Sequence, residues 1–215
     1  MTTPTPPPIT FVVRPITDAP WTQSDLPPVQ WTDLVGNHHA KRALEVAWAG
    51  NHRLLFVGTP QGQTQELALW ARSKGIDATA TQSCPCGNYR HPTRECTCSL
   101  DMVADWQASH LHQGQDITIE TPDLRPREVV AHLMGRSVPE NESALRTRVE
   151  NARPYTDLTL TEDGERLLAT AISQLQMTPS QIRSTLNVAR TIANLSRDRT
   201  IAVQHLAEAI QYRPR

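Results

Sequence analysis

One stretch constrains the fold of this chain more than any other: Arg53-Leu54-Leu55-Phe56-Val57-Gly58-Thr59-Pro60-Gln61-Gly62-Gln63-Thr64-Gln65-Glu66-Leu67-Ala68. A short apolar run of strand character meets a Gly/Pro turn, and a helix-like run from Glu66 to Lys74 follows. That order is the layout of a phosphate-binding loop. A working loop reads G-x-x-x-x-G-K-[ST], in which the second Gly lets the backbone wrap the phosphates, the Lys reaches them and the hydroxyl holds Mg²⁺. Counted from Gly58, those positions hold Gln63, Thr64 and Gln65. The Gln63 side chain obstructs the close approach, Thr64 has no charge, and Gln65 is a poorer Mg²⁺ ligand than a hydroxyl. The frame of a nucleotide site is present without its chemistry. The plainer reading is a tight turn between strand and helix, whose N-terminal amides still attract phosphate.

Around this stretch the chain divides by composition. Eight prolines between Pro4 and Pro28 make residues 1–30 a Pro-rich arm, because proline joins neither helix nor central-strand ladders. Ile9 to Arg14 could add an edge strand elsewhere, against the plainer reading of a disordered leader. Ala40, Ala43, Leu44 and Ala47 recur at helical spacing, so a helix is expected over 38–49, stopped by Gly50-Asn51. Leu54 to Val57 reads as a buried strand, Ile76 to Thr81 as a second, Ser99 to Ser109 as a helix, and Asp116 to Pro122 as the clearest strand. Beyond about Arg125 everything reads as helix. The predicted fold class is therefore α/β plus all-α, with a shortened core over 31–122 and a helical unit over 123–215. A formal net charge of −1 gives no global footprint for nucleic acid. No apolar run reaches the roughly 18 residues of a membrane span, and the N-terminus does not read as a signal peptide, so a cytoplasmic protein is expected.

Cys84, Cys86, Cys96 and Cys98 form two C-x-C arms with Gly87 and Pro92 in the loop between them. Four thiolates so placed can surround a structural Zn²⁺ tetrahedrally, with His91 as an alternative ligand. Four reduced thiols packed in a loop are the alternative. His110-x-His112 reads more readily as a surface pair than as a metal site, and no nucleophile–His–acid spacing stands out.

The blocks together resemble a family. Asp33-Leu34-Val35-Gly36-Asn37 through Ala40-Lys41-Arg42-Ala43-Leu44-Glu45, with Ala49-Gly50-Asn51-His52 and Leu54-Leu55, is similar to the mouth of the nucleotide pocket in magnesium-chelatase-like AAA+ ATPases of the ComM/YifB branch. Cys84-Pro85-Cys86-Gly87-Asn88-Tyr89 through Cys96-x-Cys98 resembles the cysteine segment of that branch. Val188 to Leu195 and Ala207 to Arg213 resemble its helical lid, and Ser143 to Val149 fits the helix between core and lid. The resemblance implies a truncated P-loop core, Val35 and Gly36 on the adenine side, and Gly58, Pro60, Gly62, Thr64 and Gln65 as a vestigial nucleotide loop.

The departures bear on activity. The family has a much longer segment between loop and cysteines, including an acidic Walker B strand, where this chain has only Glu66 to Ser83. The family's sensor Asn corresponds to Gln82, its trans-acting Arg to Gly114, and its lid Arg to Ser180. Phosphoryl transfer depends on positioned charge, so ATP and Mg²⁺ turnover is not expected and no catalytic residue is assigned. The first expectation is a non-hydrolysing interaction or regulatory subunit that assembles with an intact AAA+ relative or with itself. The second is a DNA-binding accessory protein, since ComM-type proteins are associated with DNA processing in natural transformation. Arg146, Arg148, Arg183 and Arg190 would contact phosphates, against the reading of a solvated helix face balanced by Glu140, Glu142 and Glu150. The third is a residual ATPase completed by a partner.

Overall fold

The computed structural model describes residues 28–111, 114–137 and 140–214. The strand expected over 9–14, and His112, lie outside the described residues. Among these residues the chain forms three strands and eight α-helices. Helix α1 is His38–Gly50, followed by β1 (Leu54–Gly58), α2 (Thr64–Ser73), β2 (Ala78–Thr81), α3 (Leu100–His110) and β3 (Ile117–Thr121). Five helices follow: α4 (Pro126–Leu133), α5 (Glu142–Glu150), α6 (Glu162–Leu175), α7 (Pro179–Leu195) and α8 (Val203–Tyr212).

The sheet is parallel, in the order β2-β1-β3. Leu54 stands opposite Ala78 on one side and Ile117 on the other. The unbroken apolar run of β1 thereby gains its reason, because a central parallel strand is covered on both faces, and Leu54, Leu55, Phe56 and Val57 are all buried. Helix α2 packs against β1 and β2, while α1 packs against β3 and α7. Trp31, Trp48 and Trp70 form an aromatic cluster, with the Trp31 and Trp70 rings 4.5 Å apart at their centroids.

Helix ends follow from local chemistry. Ser99, Asn141, Thr161 and Thr178 each accept a backbone N–H at an N-terminus, and Gln181 completes a capping box ahead of Pro179. Helix α1 runs one residue further than expected, through Gly50, and ends on Asn51 in the left-handed region (φ 51°). Helix α2 begins at Thr64, two residues before the predicted start. The segment between α5 and α6 is not helical; its end forms a bridge from Leu160 to Ile201. The hydrophobic core is continuous through both halves of the chain, joining Leu44, Phe56 and Ile117 to Val188, Ile192 and Leu206.

Candidate functional site

In open parallel sheets, ligands bind beyond the carboxyl ends of the strands where the strand order reverses. Here that place is the end of β1, between β2 and β3. After Gly58 the chain makes a single 3₁₀ turn over Pro60–Gly62 and enters α2. The loop lies tight against β3. A Cβ on Gly58 would meet the Thr121 hydroxyl at 2.1 Å, and one on Gly62 would meet the Thr121 carbonyl at 2.6 Å. Both glycines are therefore required by close packing.

The loop's own side chains occupy its interior. Thr64, at the position of the missing Lys, is buried; its hydroxyl donates to the Thr59 carbonyl at 2.7 Å and lies 2.8 Å from the Thr121 hydroxyl. Gln65 is exposed. Gln63 takes the left-handed conformation (φ 55°) that a glycine would supply freely. Its amide nitrogen donates to the Asp33 carbonyl at 2.9 Å, and its amide oxygen accepts from Val35 N–H at 2.8 Å. Asn37 Nδ2 donates to the Gly62 carbonyl at 2.8 Å. Gly36, with φ 57°, faces the Glu128 side chain. The residues expected on the adenine side and in the loop are thus brought together, with Gln63 filling the space between them.

The cysteines converge as expected. All four sulfur atoms lie within 4.8 Å of one another, and Cys84 is fully buried. Cys84 Sγ is 3.4 Å from Cys86 Sγ and 3.8 Å from Cys96 Sγ, and Cys86 Sγ is 3.6 Å from Cys96 Sγ. Thiolates about 2.3 Å from a tetrahedral Zn²⁺ stand about 3.8 Å apart, whereas a disulfide would require about 2.05 Å. The donor set fits a tetrahedral metal, and none of the four is in a disulfide. Backbone N–H groups of Asn88 and Thr97 hold the Cys86 thiol down to about 5. For Cys96, the N–H of Cys98 acts downward, but desolvation and the neighbouring thiols outweigh it and push the group up to about 12. One thiolate forms readily and resists a second, a frustration that a divalent cation relieves.

The loop between the cysteine arms reaches back to the phosphate-loop remnant, a connection missed at the level of sequence. His91 Nε2 lies 3.1 Å from Asp123 Oδ2, and Arg94 pairs with the same oxygen at 2.6 Å. Asp123 also accepts from the Thr59 hydroxyl, and Arg94 reaches Gln61 Oε1 at 3.4 Å. Burial raises the Asp123 pKa, but the hydrogen bonds from Thr59 and His91 and the Arg94 charge outweigh it and hold the carboxyl below its ordinary value. His91 is therefore engaged with Asp123 and is not needed as a metal ligand. A carboxylate two residues past a strand that borders β1 was the available signal.

The four arginines do not make one basic face. Arg190 requires a correction: it is only 4% exposed and donates to the carbonyls of Asp157, Asp198 and Arg199, and to Asn194 Oδ1. These bonds tie the turn after α7 to the segment before α6, so Arg190 is structural. Arg148 bridges Glu45 at 2.6 Å and Glu140 at 2.5 Å. Arg146 lies over the Trp48 ring. Arg183 is exposed and pairs with no carboxylate among the described residues.

A parallel sheet with a glycine turn at the end of its central strand, followed by helices packed on α1, defines a truncated P-loop core joined to a helical part. The magnesium chelatase subunit ChlI model matches residues 30–76, and the model of that subunit's C-terminal region matches residues 141–213. The two matches flank the cysteine segment and together cover more than half of the chain, which belongs to the magnesium-chelatase-like AAA+ family. Among curated proteins it is similar to Competence protein ComM of Haemophilus influenzae, 62% identical over 45 residues. That match takes in 21% of this chain and 8% of the relative, so the chain aligns with only a small part of that protein. Among the described residues, no helix is long and apolar enough to cross a membrane.

Proposed function

We propose that this chain is a non-hydrolysing magnesium-chelatase-like protein that acts as an interaction or regulatory subunit. The observation that carries this reading is the filled loop: Gln63 and Thr64 stand where a phosphate-wrapping glycine and a cationic lysine would, and both are committed to internal hydrogen bonds. The Asp123 carboxylate near the loop is neutralised by Arg94 and tied to Thr59, which leaves it a poor holder of Mg²⁺. A steady-state ATPase assay with Mg²⁺ should show no turnover above background. Turnover that persists through purification and is lost in Thr64→Ala would overturn the reading.

Support for a protein partner comes from α3 and α4. No residue of α4 is buried, and Val130, Leu133 and Met134 expose their apolar side chains, as do Leu100 and Met102 at the start of α3. Exposed apolar surface of this kind marks contact sites. The partner is an intact AAA+ relative or a second copy, detected as a shift in size exclusion with light scattering. Zn²⁺ held by Cys84, Cys86, Cys96 and Cys98 serves structure in this reading, because four protein thiolates leave no open coordination position. DNA binding finds less support, since Arg190 is buried and Arg148 is paired.

A further inference from the structure

We propose that the groove along α3 is a polyproline docking site, and that its occupant is the chain's own run Pro4-Thr5-Pro6-Pro7-Pro8. Met102, Trp106 and His110 recur every four residues on one face of α3. With Pro85, held between Cys84 and Cys86, they line a groove of about 320 Å³. The Trp106 and His110 rings stack at 3.8 Å and 12°, and Met102 is 50% exposed. Helix α3 buries only Val103, so its aromatic face is left for something outside the described core.

Dimensions and chemistry select the occupant. From Met102 to His110 the helix rises about 12 Å. Positions three apart in a polyproline II segment share a ridge and stand about 9 Å apart, so Pro4 and Pro7 fit along that face. Proline-rich segments dock into aromatic-lined grooves at little ordering cost. Asp105 lines the groove and Asp101 stands one turn before it; neither pairs with a base among the described residues. Among residues 1–17 the charged side chain is Arg14, of the opposite sign.

The hydrogen bonding favours a tethered ligand over a free one. Trp106 Nε1 donates to the Gln82 carbonyl at 2.9 Å, and the Ser109 hydroxyl donates to the Asp105 carbonyl at 2.8 Å. Ligand carbonyls therefore find few donors, and the groove holds its occupant chiefly by ring contact. Such weak contact suffices at the effective concentration of an intramolecular group, millimolar for short linkers. Residues 9–27 reach up to roughly 60 Å at about 3.3 Å each. That exceeds the radius of gyration of about 16 Å expected for a folded part of this size, so the run reaches the groove from Pro28.

The docking leaves α4 open and is independent of the readings above: ATP turnover, or a protein that stays monomeric, would overturn those without deciding this one. The test follows the Met102 methyl and the Trp106 indole N–H by NMR in the full chain. Pro4→Ala, Pro6→Ala, Pro7→Ala and Pro8→Ala together should shift both signals. Met102→Gln, at an exposed position, should shift the Trp106 signal and free the run. A peptide of residues 1–14 should bind the fourfold variant at least about tenfold tighter than the natural protein, whose groove is already filled. Unchanged Met102 and Trp106 signals in the fourfold variant would overturn the proposal. So would a peptide that binds both proteins equally. Signals in the natural protein that move with protein concentration would give the groove to the run of a second copy and overturn the assignment within one chain.

Discussion

Arg190 carries a formal charge that composition counts as surface, yet the fold uses it as an internal scaffold. Its guanidinium gathers the Asp157 carbonyl before α6 and the Asp198 and Arg199 carbonyls after α7, groups that would otherwise be left without these donors. Arg190→Ala should therefore destabilise the protein by about 2–4 kcal/mol, because the buried acceptors lose their partners as well as their bonds. Arg190→Lys should recover little of that, since an ammonium cannot span the same fork. Urea unfolding checks both; a midpoint shift equivalent to less than about 0.5 kcal/mol, the usual effect of a surface change, would refute the structural role. A signal existed in the sequence: Arg190 falls at helical spacing from Leu186 and Ala193 and so lies on the apolar face. Gln63 was legible as an obstruction, but its partners were not, because Asp33 and Val35 meet it only through the packing of α1 against the sheet.

The cysteine segment is a loop that depends on cross-links, since it has no helix or strand between β2 and α3. Its ligand atoms converge, and its His91 and Arg94 fasten Asp123 and thereby the phosphate-loop remnant. Cys96→Ser should abolish stoichiometric zinc and lower the melting temperature. It should also speed amide exchange at residues 59–62 and 121–124 as well as in the cysteine loop itself. Metal analysis with hydrogen exchange checks this. Exchange confined to residues 84–98 would show that the two elements are not coupled, and an unchanged melting temperature without zinc would remove the metal from the account. The cysteine spacing alone announced a cluster, whereas its grip on Asp123 depends on β3 being the neighbour of β1, which no local pattern encodes.

At the scale of the whole molecule, the two halves share one core, and two histidines are buried in it, one of them where the halves join. His52, between α1 and β1, reaches Thr191 of α7 at 2.8 Å, with Asp116 of the β3 end 4.0 Å away. His205 of α8 accepts the Ala202 N–H and lies 3.2 Å from Asp198. Burial lowers both histidines, outweighing the upward pull of Asp116 and Asp198 respectively. Their folded pKa values fall below the unfolded value of about 6.5, so the unfolded chain binds more protons as pH falls through that value, and stability is lost. The melting temperature should drop between pH 7.5 and 5.5, before the depressed carboxylates Asp123 and Glu142 begin to titrate. A flat profile by calorimetry across that window would contradict the buried, neutral state of both rings. The sequence by itself determined the three strands, the three helices of the N-terminal half to within two residues, the helical character of the C-terminal half, the loop remnant and the cysteine cluster, because each is written in local periodicity, capping residues or fixed spacing. Only the tertiary structure decided which strand borders β1, that the C-terminal helices share the core, that Arg190 is interior, that Gln63 reaches the Asp33–Val35 backbone and that Asp123 reaches Thr59. Those depend on contacts between residues far apart in the chain, and burial, which sets the strength of each charge and hydrogen bond, exists only once they have formed.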